Sequence, residues 1–239
     1  MENVQKENNM EESIADYRNS YRIRTHVNED AFNPIVYSLD VEDTVIEEME
    51  YWIGYITGDG YVRDKRRNRM QALGLQSIDK EHIEKFKKFM QYTGKISKRT
   101  YSSENSNDAY IIEISSDRIV DSLKLYGIHP NKSHDIEINY LMWSKHFWRG
   151  LIDADGHISK DRRVSIVTGS KEFARQFALF VTYAIGSVPK IYKDQNVYRV
   201  RLTKRNTVKL LKLLYEDANV YLERKYKKAM EVIEYSKEA

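Results

Sequence analysis

Asp59 and Asp155 hold the eighth position of two matching nine-residue stretches, WIGYITGDG from Trp52 to Gly60 and WRGLIDADG from Trp148 to Gly156. Both carry glycine third, a small residue seventh, the acid eighth and glycine ninth. Paired acids of this kind suit the holding of a divalent cation. Gly54 and Gly58 are four residues apart, as are Gly150 and Ala154. On a helix that spacing puts two small residues on one face, a turn apart. Two such faces can approach until backbone nearly touches backbone. The acids then fall in the last turn, where the helix dipole disfavours a carboxylate by about 0.3–1 kcal/mol. Close helix packing adds repulsion between the carboxylates and raises at least one pKa unless a cation intervenes. Oxygen ligands without cysteine or clustered histidine point to Mg2+ rather than zinc. A lone Asp-Gly is usually a turn. Two in one frame, each followed by matching strands, point to function. Two equivalent acids also suit a target with two equivalent halves, such as duplex DNA.

The elements that must position these acids repeat with them. Each repeat reads helix, two strands, helix, two strands, helix. Asp59 matches Asp155 at an offset of 96, Phe86 matches Phe177 at 91, Tyr110 matches Tyr198 at 88 and Lys132 matches Lys225 at 93. The offset changes only between elements, where turns tolerate insertion. Leu73 and Leu75 match Val164 and Ile166, while Tyr110, Ile112 and Ile114 match Tyr198, Val200 and Leu202. Alternation puts all of these on the core face. The opposite face then holds Gln76, Ile111 and Glu113 in the first copy, and Arg163, Ser165, Arg199, Arg201 and Thr203 in the second. Helices over about residues 79–92 and 171–185 follow Asp79 and Ser170, both N-cap types, and should cover the backs of the sheets. Gly60 and Gly156 are expected to end the motif helices in left-handed caps. The expected fold class is α+β, with two pseudo-symmetric αββαββα repeats packed through their motif helices. The boundaries are an acidic arm over 1–45, a first repeat over 46–139 and a second over 140–235.

A chain of 239 residues can bury a real core. No apolar run approaches the roughly 18 residues of a membrane span. The first twelve residues are polar and acidic, unlike a secretory signal. The absence of cysteine fits an intracellular, reducing compartment such as cytoplasm or organelle matrix. Net charge is +3, but residues 1–50 carry −9 and the remainder +12. A basic body suits a phosphate-rich partner. Residues 1–45 lack a clear period; about the first fifteen are expected to be disordered and the rest to form an irregular arm or short helices against the body. No P-loop, dinucleotide fingerprint or Ser-His-Asp constellation is visible. His157 follows the second motif directly and is expected near phosphate; His82 and His146 are expected at the surface.

The two stretches resemble the LAGLIDADG homing endonucleases. The second matches the nine-letter name at seven positions and the first at four, with Gly, Asp and Gly in place. The likeness covers roughly residues 46–235 and is to the single-chain, two-motif form, expected to act as a monomer. It implies antiparallel sheets forming a saddle over the major groove of double-stranded DNA. It also implies two or three divalent ions, taken as Mg2+, shared between Asp59 and Asp155, with Gly58 and Ala154 as adjoining ligands. Metal-activated water would then cut both strands and leave short 3′ overhangs. Family members often carry a basic residue near each site. Lys132 and Lys225 fall at equivalent turns, 73 and 70 residues after their acids. Lys225 lies in the run ERKYKK, whose other role would be a plain helix face. Gln76 is the expected polar strand residue of the site. Thr57 stands where the second motif has its first acid, and Arg149 where a small residue is usual. Arg149 should reach solvent or pair with an acid in the other half.

Major-groove reading needs long polar side chains on the exposed sheet face. Candidates are Arg163, Ser165, Arg199 and Arg201 from strands, with Arg63, Lys65, Arg66, Arg67 and Arg69 from the loop joining the first two strands. Lys98, Arg99, Lys190, Tyr192, Lys193 and Gln195 come from the other hairpins. A long asymmetric target is implied. The rival expectations are an intron RNA maturase on the same fold and a catalytically silent DNA-binding protein. Binding of intron RNA without cleavage of DNA would mark the first; the presence of both acids argues against the second. No splicing residues flank the repeats and the chain starts with Met, so an intein-embedded origin is not expected.

Overall fold

Backbone meets backbone at the centre of the molecule, between helix α1 (Asp43–Asp59) and helix α4 (Lys145–Ala154). A Cβ on Gly54 would lie 1.9 Å from the Phe147 carbonyl oxygen, and one on Gly150 would lie 2.0 Å from that of Tyr51. A Cβ on Gly58 would meet that of Ala154 at 2.6 Å. The small-residue faces of the two motifs therefore face each other, as their four-residue spacing requires. The computed structural model describes residues 25–35, 42–67, 69–100 and 108–236. The disorder expected of about the first fifteen residues lies outside them.

Each motif helix leads into a four-stranded antiparallel sheet. The first has the order β1 (Gly60–Arg63), β2 (Ala72–Ser77), β4 (Ala109–Ser115), β3 (Ser97–Arg99). The second has β5 (His157–Ser159), β6 (Arg163–Thr168), β8 (Val197–Thr203), β7 (Lys190–Asp194). Leu75 pairs with Ile112 and Leu73 with Ile114, as Ile166 pairs with Val200 and Val164 with Leu202. All eight are buried. Helices α2 (Lys80–Phe89) and α5 (Lys171–Ile185) pack against these sheets. The duplication extends to ring contacts: Trp52 lies 5.0 Å from Phe86, and Trp148 lies 5.0 Å from Phe177. Helix α3 (Asp117–Leu125) closes the first repeat, α6 (Lys204–Tyr215) the second, and α7 (Glu223–Tyr235) follows as one helix more than the repeat pattern predicts.

Residues 25–35 pack along the first repeat. Ala31 and Phe32 are fully buried, and the Phe32 ring sits 5.5 Å from that of Phe89. The Ser116 hydroxyl donates to Glu29 at 2.6 Å, and Arg118 pairs with Asp30 at 2.5 Å.

Several expectations need correction. Gly60 and Gly156 are not left-handed; Gly60 has φ −90° and ψ 157°, and Gly156 also lacks positive φ. Glycine is required there for space. A Cβ on Gly60 would lie 2.7 Å from the Ile56 carbonyl oxygen, and one on Gly156 would lie 2.6 Å from Ile152 Cα. Ser170 caps α5 through the Phe173 amide at 3.1 Å. Asp79 occupies the N-cap of α2 without a side-chain cap; its carboxylate accepts from Arg224 at 2.8 Å. His82 is buried rather than exposed, packed against Trp52 and Tyr55 and hydrogen-bonded to the Tyr51 hydroxyl at 3.1 Å. Burial pushes its pKa down to about 3. His146 is half-buried, 3.7 Å from Glu47.

Arg149 is fully buried and reaches into the other half, not to solvent. It donates to Glu47 of α1 at 2.6 Å, and to the carbonyls of Val220 and Leu214 at 2.9 and 3.1 Å. Burial alone would raise the Glu47 pKa, but hydrogen bonds from Asn219 and the Arg149 charge bring it below its ordinary value. Asp153 accepts from Tyr51 at 2.8 Å, Tyr215 at 2.6 Å and the Leu222 amide at 2.7 Å. At the matching position Thr57 donates to its own helix, to the Ile53 carbonyl at 2.8 Å. That is why an acid is dispensable there: the hydroxyl needs no partner from another element.

Candidate active site

The helix contact delivers the two acids to one place. Asp59 is the last residue of α1 and half-buried; Asp155 follows α4 and stands exposed at the rim. A Cβ on Gly58 would lie 3.2 Å from an Asp155 carboxylate oxygen, so the second acid lies over the end of the first helix. Burial, then the Asp155 charge, pushes the Asp59 pKa up to about 6. Surrounding protein also raises that of Asp155, against the pull of Lys132 and Lys225.

Each acid's turn is tied by a buried lysine. Lys132 lies in a 3-10 turn, Lys132–His134, preceded by Asn131 in the left-handed region at φ 61°. Its ammonium donates to the Gly60 carbonyl at 2.6 Å. Lys225 lies in the first turn of α7, where it donates to the Ile152 carbonyl at 2.9 Å and to that of Gly156. The pseudo-symmetric acceptors are the ninth residues of the two motifs. Both lysines are buried, which excludes the solvated-face role for Lys225. Burial lowers the Lys132 pKa, opposed by Asp155 and Asp59, and lowers that of Lys225 to about 8.

A cleft of about 150 Å³ is lined by Gly58, Asp155, Lys132, Thr57, Thr168 and Gly169 among others. A larger hollow of about 620 Å³, lined by Lys160, Arg162 and Tyr235, contains no residue of either motif. Gln76 is half-buried on the non-core face of β2, opposite Ile111. Sequence reasoning missed Arg224, which holds Asp79 and lowers the Asp59 pKa against burial. Its only signal was membership of the basic run beside Lys225.

Among the described residues no three His, Asp or Glu side chains cluster as metal ligands. Two carboxylates in one place, both costly to ionise there and the first made more so by the second, are nevertheless a fit for a hard divalent cation such as Mg2+. This ion takes one or two carboxylates and completes its shell with water and substrate phosphates. Asp59 and Asp155 would hold it, with the Gly58 and Ala154 carbonyls adjoining.

The candidate binding residues divide by repeat. In the first, Arg63 pairs with Glu113 at 2.9 Å, Lys65 with Asp117 at 3.2 Å and Lys98 with Asp108 at 2.5 Å. Arg63 ends β1 rather than lying in the loop, Arg66 and Arg69 form an isolated bridge, Arg67 lies between them, and Arg99 ends β3. In the second, Arg163 pairs with Asp161. Arg199 and Arg201 line a groove with His157, Arg163, Ser165 and Val167. Their guanidinium groups, and the ammonium groups of Lys190 and Lys193, form no ion pair among the described residues. Tyr192 is exposed on β7 and Gln195 sits in its turn at φ 50°.

A duplicated αββαββα chain, joined by glycine-faced helices that each carry an acid at or just past the last turn, is a pseudo-dimeric two-motif protein. Residues 47–127 and 142–215 match the model of the LAGLIDADG-like domain, and the chain belongs to that family. A replication factor C small subunit from Methanocaldococcus jannaschii is 29% identical over 202 residues, covering 82% of this chain and 11% of that protein. The chain therefore spans about a tenth of the length of the curated relative it matches. The homing endonuclease I-WcaI, bound to its DNA recognition sequence, aligns with a TM-score of 0.56 and 16% identity over 86% of this chain and 98% of that one. The LAGLIDADG meganuclease I-AabMI, bound to uncleaved DNA, gives 0.54 and 16% over 78% and 89%. I-DmoI in complex with DNA and Ca gives 0.52 and 17% over 72% and 91%. At these identities the likeness establishes the shared fold. No helix among the described residues is long and apolar enough to cross a membrane.

Proposed function

We propose that this chain is a site-specific double-strand DNA endonuclease that hydrolyses phosphodiester bonds at a long asymmetric target, leaving short 3′ overhangs. The observation that carries it is the pair of acids at the ends of two helices in backbone contact, each turn tied to a buried lysine. Asp59 and Asp155 would hold Mg2+, whose chemistry when bound would be activation of water and stabilisation of the leaving oxygen. Lys132 and Lys225 fix the turns that carry the acids and add positive charge where phosphate charge develops. Gln76 orients solvent from the strand face. Arg199, Arg201, Lys190 and Lys193, which form no ion pair among the described residues, bind the duplex backbone and base edges. One chain supplies both halves, so a monomer suffices.

The test is selection of cleaved sites from a randomised duplex library with Mg2+, using the wild type, Asp59→Asn and Asp155→Asn. The expected result is cleavage of a long asymmetric site, lost or reduced to one strand in each variant. Binding without cutting, unchanged by either substitution, would overturn the catalytic reading. It would favour a silent DNA-binding protein, or an intron RNA maturase if RNA competed for the same chain.

A further inference from the structure

One row across each sheet sits immediately beyond the motif helix, on the face away from the core. In the first sheet it is Tyr61, Gly74 and Glu113, paired strand to strand. In the second it is His157, Ser165 and Arg201. The rows are pseudo-equivalent, since Tyr61 follows Gly60 as His157 follows Gly156. They end in opposite charges. Arg201 presents donors, and its guanidinium has no ion-pair partner among the described residues. Glu113 presents an acceptor.

The carboxylate is pre-organised. Tyr61 donates to one oxygen at 2.7 Å, and Arg63 donates to the two oxygens at 3.2 and 2.9 Å. Gly74 makes this possible, because a Cβ there would lie 2.0 Å from Tyr61 Cζ. The ring thus lies across the strand to reach Glu113. A glycine in a strand interior weakens the strand and often marks a close approach. An ion pair this exposed, at 33% and 40%, adds little to stability and gives no stability reason for the arrangement. Arg63, then Tyr61, hold the Glu113 carboxyl below the usual carboxylate range, so it is ionised at neutral pH. A carboxylate offers about four acceptor sites. Three are taken here, and the remaining one is on the oxygen that only Arg63 touches.

We propose that Glu113 is a specificity-determining residue that accepts from the exocyclic amino group of a cytosine in the half-site under the first sheet, at the position pseudo-symmetric to a guanine read by Arg201. This rests on the endonuclease reading and on the sheets facing the major groove. There cytosine N4 is a donor suited to Glu, while guanine offers two acceptors suited to Arg. The same base edge cannot satisfy both rows, so the target departs from a palindrome at this pair of positions.

The test is binding selection from a randomised duplex library at one salt concentration, with the wild type, Glu113→Gln and Glu113→Arg. Thermal melts establish that each variant is folded. Wild type is expected to enrich cytosine at one position of one half-site. Glu113→Gln should reduce that preference roughly tenfold, and Glu113→Arg should switch it to guanine, leaving other positions unchanged. Folded variants that keep every base preference, with affinity alone altered, would overturn the proposal and leave Glu113 as a brace for Arg63. Enrichment of no duplex by the wild type would instead overturn the endonuclease reading, and this role with it.

Discussion

Asp59 works against its own fold. Burial, with Asp155 nearby, raises its pKa from 3.8 to about 6. The folded chain thus holds that proton more firmly than the unfolded chain, and stability falls as pH rises through the window from about 4 to 6. Above it the ionised acid costs stability; well below 3.8 both states are protonated and the cost vanishes. In chelator at pH 8, Asp59→Asn should therefore raise the unfolding free energy by roughly 1–3 kcal/mol, and by far less at a pH below 3.8. On the proposed metal role, added Mg2+ should stabilise the wild type and not Asp59→Asn. Denaturant melts at the two pH values, with and without Mg2+, check both signs. These acids were legible in the sequence because a residue type and its frame recur. Lys132 and Lys225 were legible through matched distance from the acids. Arg224 and the Tyr61–Glu113 contact were not, because no local pattern tells which distant carboxylate a cation or hydroxyl will meet.

At the scale of elements, the contact between α1 and α4 is the least forgiving feature. Gly150→Ala would drive a methyl group to 2.0 Å from the Tyr51 carbonyl oxygen, which cannot rotate away. The expected destabilisation is at or beyond the upper end of the roughly 1–3 kcal/mol typical of overpacking. Urea melts compare it with the wild type; a variant within 0.5 kcal/mol, on the order of a neutral surface substitution, would mean the helices separate freely. The strands and motif helices followed from alternation and from the spacing of small residues. Helix α7 did not, because it lies past the end of the repeat and has no counterpart in the first copy. Gly60 and Gly156 were assigned the right residue for the wrong reason. What excludes a side chain there is the preceding helical turn, which no dihedral preference in the sequence encodes. His82 looked like a surface residue because a lone histidine on an amphipathic helix carries no sign of the aromatic cage that receives it.

For the whole molecule, charge is distributed unevenly between two similar halves. Arg199 and Arg201 face the second groove without ion-pair partners among the described residues, whereas Lys65 and Lys98 already sit on Asp117 and Asp108. If DNA binds across both sheets, each phosphate-contacting arginine lost should reduce the slope of log affinity against log salt by about 1. Arg199→Ala should show this loss, and Lys98→Ala a smaller one. Titrations at several salt concentrations separate the two; equal slopes would mean the halves bind alike.

The buried pair between Glu47 and Arg149 bears on ancestry. Counting back from the two acids, Trp143 holds in the second repeat the place of Glu47, and Ile53 holds in the first the place of Arg149. A molecule assembled from two copies of the second repeat would bury Arg149 against no acid, and one from two first repeats would bury Glu47 against no base. An uncompensated buried charge costs several kcal/mol. Divergence at these sites leaves each half dependent on the other: neither repeat can pair with its own copy through this contact without burying an unmatched charge.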